Sequence, residues 1–142
     1  MKIGIIGSGR VGYSMGKYMQ DHGIRVPGFY DRHRERALDA AQFTGTDSFD
    51  RIEDLVAASD TLFFTTSDGE IANVWDCIRH LSIQGKIICH FSGSLSSDQF
   101  QGIEKTRAYG LSIHPMLAFS DKYTSYKQLQ NAFFTLEGHA QA

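Results

Sequence analysis

Cysteine and proline are scarce in this chain, with two of each among 142 residues, and tryptophan occurs once. Cys77 and Cys89 form neither a CxxC pair nor a zinc-ligand spacing. The sequence therefore offers no disulfide framework and no metal site, and it fits a reducing, cytoplasmic compartment. Basic residues are not in surplus: 14 Lys and Arg face 16 Asp and Glu, for a formal charge of −2, and no basic block stands out. That argues against nucleic acid as a partner, because neutralising phosphates takes clustered cations. No apolar run approaches the roughly 20 residues of a membrane-spanning helix. The start "MKIGIIGSG" lacks the h-region and cleavage site of a secretory leader, so no membrane partner is expected. Repeats and low-complexity tracts are missing too. With 42% hydrophobic and 21% charged residues, the composition suits one packed domain over 1–142.

Short β-branched runs alternate with amphipathic ones. Strands are expected at 2–6, 24–30, 46–49, 61–66, 86–91, 108–113 and 131–137. Pro27 cannot donate to a ladder, so a bulge or a missing bond is expected there. A helix opens at Arg10, with Val11, Met15, Tyr18, Met19 and His22 on one face and Gly23 ending it. Another covers 34–43. Capping-box spacings start three more, at Asp50/Glu53, Ser67/Glu70 and Ser96/Gln99. Strands separated by helices imply right-handed crossovers and a doubly wound, mostly parallel α/β sheet of the Rossmann type. Ligands of such sheets lie beyond the carboxyl ends of the strands. Ser67, His90, Ser92, Ser94 and His114 all fall near such ends.

"IIGSGRVG" carries Gly7, Gly9 and Gly12 as GxGxxG, directly after a strand and at the opening of a helix. Asp31 follows 19 residues after Gly12, at the end of the second strand. That context reads as a dinucleotide site rather than a merely structural turn. Gly7 turns the chain, Gly9 admits the pyrophosphate, and Gly12 packs helix on strand. Ser8, Arg10 and Val11 fill the loop and the first helical turn, whose N–H groups face the negative charge. Thr66 and Ser67 close the opposite side. Asp31 suits the adenine-ribose hydroxyl and repels a 2′-phosphate, which favours NAD. Arg32 and Arg34 suit phosphate and leave NADP open. Asp31 also reads as an N-cap for the helix at 34–43.

"GIIGSGRVG", "HFSGSLSSDQF" and "SIHPMLAFSDKY" resemble the Rossmann-like proteins that carry a second domain of unknown function, DUF2520. That group is similar to NADP- and coenzyme F420-dependent oxidoreductases and, more distantly, to prephenate and β-hydroxyacid dehydrogenases. The resemblance spans essentially the whole chain and implies hydride transfer, with F420 as a further cofactor choice. The prephenate dehydrogenases place a Gly-Ser pair after a late strand and a base in a His-Pro motif about twenty residues on. Gly93-Ser94 and His114-Pro115 match that pattern. The resemblance thus implies His114 as the base for a substrate hydroxyl. Ser92 and Ser94 are candidate donors to the substrate or to the nicotinamide amide. The bland readings are a hydrogen-bonded strand-end histidine and a turn-and-cap serine segment.

Two departures from that group stand out. "TTSDG" replaces its proline-containing turn after the fourth strand, and its helical second domain is expected but not seen before Ala142. The oily loop at 115–126 either packs down or meets a homo-oligomeric or helical partner, and the second option is favoured. The expected function is an NAD(P)-binding domain of an oxidoreductase acting on a small hydroxy or oxo acid. The alternative is a non-catalytic nucleotide-binding or sensing module.

Overall fold

The computed structural model describes residues 1–142. Its strands are β1 (Ile3–Ile6), β2 (Gly28–Tyr30), β3 (Asp47–Ser48), β4 (Thr61–Phe64), β5 (Ile87–His90), β6 (Tyr109–Pro115) and β7 (Phe134–Gly138). Its α-helices are α1 (Arg10–Asp21), α2 (Arg34–Thr44), α3 (Ile52–Ala58) and α4 (Ile71–Ile78). One seven-stranded sheet runs β3-β2-β1-β4-β5-β6-β7. All neighbours are parallel except β6 and β7. The order reverses between β1 and β4, which opens a crevice at their carboxyl ends.

β1 and β4 are buried on both faces, as their unbroken apolar runs require. One core layer packs Trp75, Ile78, Phe64, Phe100 and Leu55 beneath α3 and α4. The other packs Ile3, Ile5, Tyr13, Phe29 and Leu129 beneath α1 and α2. α1 lies close to the sheet because it turns glycines toward it. A Cβ at Gly12 would stand 2.5 Å from the Gly7 carbonyl oxygen, and one at Gly16 would stand 2.6 Å from Phe29 Cζ. The buried face of α1 is thus Gly12, Tyr13, Met15 and Gly16. The expected stripe through Val11, Tyr18 and His22 is only its margin, and His22 is exposed, bonded to the Tyr18 carbonyl.

Several expected elements are shorter. The strand over 24–30 begins only after Pro27, with a single isolated bridge at Arg25. None of the three capping boxes closes. Asp50 is drawn into an ion pair with Arg34 at 2.9 Å, which leaves Arg51 at the start of α3. Ser67 and Glu70 flank a 3₁₀ turn ahead of α4, and Glu70 faces Arg32 at 3.8 Å. Ser96 Oγ does accept from the Asp98 N–H, but it caps only a 3₁₀ turn, Ser97–Gln99. Gly102, at φ +76°, turns the chain before an α-helix can propagate. The β5–β6 crossover therefore has no α-helix.

The segment at 116–131 is a strap across α1 and α2. Leu117, Phe119 and Tyr126 pack on the core there and Leu129 is buried, so most of the oily loop packs down. Exposed large apolar groups include Met116, next to the end of β6, and Phe133, Phe134 and Leu136 in and beside β7, besides Met1, Leu38 and Tyr123 elsewhere.

Three carboxylates fasten these outer pieces, and each is held below its ordinary value. The Tyr13 hydroxyl lowers Asp39, the Tyr123 N–H lowers Asp121, and the Ser97 N–H lowers Glu137. Above the ordinary values of 3.8 for Asp and 4.5 for Glu, these ties stabilise the fold in full. Their contribution is lost as pH falls through the lower folded values, because the unfolded chain then binds more protons. Acid is therefore expected to loosen the strap and β7, and with them the entry to β1, where Asp60, despite its desolvation, is held below its ordinary value by the Lys2 N–H, before the middle of the β1–β4–β5 core. Amide exchange followed from pH 6 downward checks this, and simultaneous loss of protection everywhere would contradict it.

Candidate functional site

The loop between β1 and α1 is shaped by its glycines. Gly7 takes φ +103°, donates its N–H to the Tyr30 carbonyl at 2.9 Å, and leaves no room for a Cβ, which would meet Thr66 N at 2.9 Å. Gly9 is extended (φ −87°, ψ −172°) and starts α1. The nearest atom to a Cβ there is the Thr65 carbonyl oxygen, at 3.8 Å. Gly9 is thus bare because of the space beside it and not because of strain. That space belongs to a cleft of about 250 Å³ at the β1–β4 crevice. Gly7, Ser8, Gly9, Asp31, Arg32, Thr66 and Ser67 all line it. Gly12 lies beneath as the packing contact. Val11 is half-buried, and Arg10 faces the opposite side of the loop.

Asp31 ties two elements together. Its Oδ2 accepts from the Ser8 N–H at 2.9 Å and its Oδ1 from the His33 N–H at 2.8 Å. It therefore braces the start of α2, where His33 is the capping residue, and pins the glycine loop as well. Arg34 turns away to Asp50. Its place in the cleft is taken by Arg36, with Tyr30, His33 and Val74, none of which the sequence reading singled out. Arg36 sits in the first turn of α2, directly after the strand end that carries Asp31, and that position was the available signal. Two hydroxyl oxygens in the cleft wall, Ser8 Oγ and Thr66 Oγ1, are buried without a partner. The first turn of α1 carries no acidic residue, so its free N–H groups and dipole stay available to an anion.

The second group of candidates lies across the sheet. The β5–β6 ladder ends at His90–Ser112, so His114 stands just past the carboxyl end of β5, still inside β6 and paired with Thr135 of β7. Its ring covers Gly93, where a Cβ would meet Cε1 at 2.7 Å. His114 Nδ1 is buried and unpartnered. Ser92 Oγ accepts from the N–H groups of Ser94 (3.2 Å) and Leu95 (3.1 Å), which makes it a turn-former. Ser94 is exposed and donates to Asp68 Oδ2 at 3.2 Å. His90 is fully buried, and both its nitrogens serve the backbone. Nδ1 accepts from the Ser92 N–H, which makes Nε2 the donor to the Ser96 carbonyl at 2.8 Å. The structure thus brings Gly93 and His114 together, turns the Ser94 hydroxyl to Asp68, and assigns His90 and Ser92 to holding the loop.

The family model of the GFO/IDH/MocA oxidoreductases, described as an oxidoreductase family with an NAD-binding Rossmann fold, matches residues 1–77, the span that holds the glycine loop, Asp31 and β4. The chain belongs to that family. No curated protein sequence matches the chain. Among solved structures, the Bacteroides fragilis protein BF3122, classed as an NADP oxidoreductase, aligns over 98% of this chain and 52% of its own, at TM-score 0.79 and 19% identity. An imine reductase from Myxococcus stipitatus in complex with NAD+ aligns over 83% and 40%, at TM-score 0.68 and 20% identity. A reductive aminase from Aspergillus terreus in complex with NADPH and ethyl-5-oxohexanoate aligns over 83% and 42%, at TM-score 0.66 and 22% identity. The chain spans about half or less of these proteins, and at such identity the likeness is one of fold.

In this NAD(P)-binding oxidoreductase domain, Cys77 is exposed on the outer side of α4 rather than part of the core, whereas Cys89 is inert by placement. Burial pushes the Cys89 thiol up to about 12, so no thiolate forms there near neutral pH. Trp75 and its neighbours are core. No helix is long and apolar enough to cross a membrane.

Proposed function

We propose that the domain binds NAD or NADP in the glycine-loop cleft and serves hydride transfer to or from a small hydroxy or oxo acid or a related metabolite. The observation that carries the reading is the open space beside Gly9 in a cleft lined by Ser8 and Thr66, each of which keeps a buried hydroxyl without a partner. Both suit a polar, phosphate-bearing ligand, since buried hydroxyls without partners are costly. The N–H groups of the first turn of α1 would hold the pyrophosphate, and Asp31 the adenine ribose. Bound NAD(P) supplies a hydride donor or acceptor. His114 would take or return the substrate's hydroxyl proton, and Ser94 would donate to the substrate or the nicotinamide amide. The late motifs around Ser94 and His114 support a place among DUF2520-like proteins. The exposed Met116 and Phe133 near His114 support a second copy or a helical partner domain closing the substrate side, in a cytoplasmic protein. Titration calorimetry with NAD and NADP tests the binding. Turnover of a panel of hydroxy acids, with His114→Asn as control, tests the chemistry. A nucleotide-sensing module is the second reading, because His90 and Ser92 are consumed by loop hydrogen bonds. Binding without any turnover would favour it.

The cofactor preference falls to Asp31 on one side and to Arg32 and Arg36 on the other, with NAD favoured. Asp31→Ser is expected to weaken NAD and improve NADP, because it removes the ribose acceptor and the charge that repels a 2′-phosphate. The loss of two backbone hydrogen bonds adds about 1–3 kcal/mol of destabilisation. Calorimetry gives the affinity ratio and a melting curve gives the stability. A lower melting temperature with an unchanged ratio would make Asp31 a brace alone.

A further inference from the structure

The two edges of the sheet are guarded differently. β3 closes one edge with only two residues, Asp47 and Ser48, and one of them is acidic. Short, charged edges resist pairing with another chain. β7 closes the other edge with five residues, all of them exposed. The stretch 131–138, NAFFTLEG, holds no Lys, Arg or Pro. Its one charge, Glu137, is bound to the N–H and the hydroxyl of Ser97. The usual devices that keep a strand edge from pairing are therefore missing at β7.

The register of β7 decides which groups it offers. The Met116 N–H donates to the Phe133 carbonyl at 2.8 Å, and the His139 N–H to the Gly110 carbonyl at 3.0 Å. Between them, Thr135 pairs with His114 and Glu137 with Ser112. The odd-numbered residues thus turn their backbone groups to β6. The alternation of an antiparallel ladder then turns those of Phe134, Leu136 and Gly138 to the open edge. Side chains alternate as well. Phe134 and Leu136 lie on one face, opposite Pro115 and Ile113 of β6. Ile113 and Leu111 continue that face into the core layer under α1 and α2. Leu136 is 68% exposed and Phe134 41%, so the apolar face runs out to the edge without a cover.

We propose that β7 pairs with β7 of a second copy of this chain, antiparallel, about a two-fold axis at Leu136. The strand is self-complementary in this register. Leu136 meets Leu136 of the second copy, Phe134 meets Gly138, and Thr135 meets Glu137. Every residue whose backbone groups face the edge then falls in a hydrogen-bonded pair. No like charges oppose one another. The ring of Phe134 lies over a residue without a side chain, the way aromatic groups cover edge glycines. The apolar row through Ile113 and Leu136 continues unbroken into the second copy. Such a contact uses up both β7 edges, and the short β3 edges do not extend it, so assembly closes at a dimer. The interface is small, so the dimer is weak and concentration-dependent. This pairing draws nothing from the dinucleotide reading proposed above and holds whether or not a nucleotide binds.

The test is sedimentation velocity of the 142-residue chain from low micromolar to millimolar concentration, with amide exchange read at both ends of the range. A monomer–dimer equilibrium is expected. Leu136→Lys sets two ammonium groups across the axis and should raise the dissociation constant by about tenfold or more. Leu136 is exposed and its backbone groups are not used by β6, so the circular dichroism of the dilute variant should match the parent. The two Thr135 variants read the register. Thr135→Glu places carboxylate against carboxylate and should weaken the dimer by roughly threefold or more, while Thr135→Lys should hold or tighten it. Exchange supplies the signature of edge pairing. The N–H groups of Phe134 and Leu136 should slow as concentration rises, while those of Thr135 and Glu137 are protected throughout. A chain that stays monomeric over the whole range overturns the proposal. So does a dimer whose Leu136 N–H exchanges as in the monomer, as it would if two apolar faces met instead of two edges. Equal effects of Thr135→Glu and Thr135→Lys, or growth beyond the dimer, overturn it as well.

Discussion

Gly9→Val is expected to lower the affinity for NAD and NADP at least tenfold while the domain stays folded. Tenfold corresponds to about 1.4 kcal/mol of binding free energy. The backbone at Gly9 is extended, a conformation a β-branched residue adopts freely, so the substitution stores no strain in the loop. Valine is a poorer helix N-cap than glycine, and that cost stays near 1 kcal/mol. The added side chain would have only the Thr65 carbonyl oxygen near it, at 3.8 Å, and would otherwise occupy the cleft. The loss therefore falls on the ligand and not on the protein. Gly7 is the contrast: its φ of +103° and the backbone around it make any substitution there a folding defect. Calorimetry of Gly9→Val, beside its circular dichroism, checks the point. Unchanged affinity in a folded variant would move the dinucleotide away from this loop.

Trp75→Ala should cost about 3–5 kcal/mol of stability, the usual range for emptying a large aromatic site. That is a large share of the 5–15 kcal/mol typical of a single domain. Trp75 is 1% exposed, stacks edge-on against Phe100 with ring centroids 5.5 Å apart, and donates its indole N–H to the Gln101 carbonyl at 2.9 Å. It joins α4 to the crossover that precedes β6, so the damage should reach both the 67–70 turn and the Ser92–Ser96 loop. Trp75→Phe keeps much of the packing and gives up the hydrogen bond, for which about 1 kcal/mol is expected. Denaturant midpoints measured by circular dichroism separate the two variants. A loss under 1 kcal/mol for the alanine variant would mean that the layer under α4 collapses freely around the gap.

Much of the fold was legible because its signals are local. The runs IGII and TLFF are apolar without alternation, and only a strand covered on both faces wants that. The glycine loop was legible for a similar reason, since a turn at φ +103° and a helix position where a Cβ would stand 2.5 Å from a carbonyl oxygen admit only glycine. What misled were residues whose partners lie far along the chain. Asp50 reads as a helix cap until Arg34 is beside it, and Arg34 reads as a cofactor ligand until Asp50 claims it. Ser92 and His90 misled for the opposite reason: they read as chemistry, but their hydrogen bonds go to backbone two to six residues away and close within one loop. The oily strap read as a partner surface because nothing in its own residues shows that Tyr13, Phe43 and Asp39 wait across α1 and α2.

The sequence by itself determined the class of fold, the glycine loop and the acidic residue at the end of the second strand, because each depends on neighbours a few residues away or on the backbone alone. Only the tertiary structure decided which arginine enters the cleft, which hydroxyls lack partners, where His114 lies relative to Gly93, and that Lys122 comes to lie over Tyr13 beside Asp39. Those outcomes depend on competition among partners brought together by the sheet, and a charge or hydroxyl goes to whichever partner the fold places within about 3 Å of it.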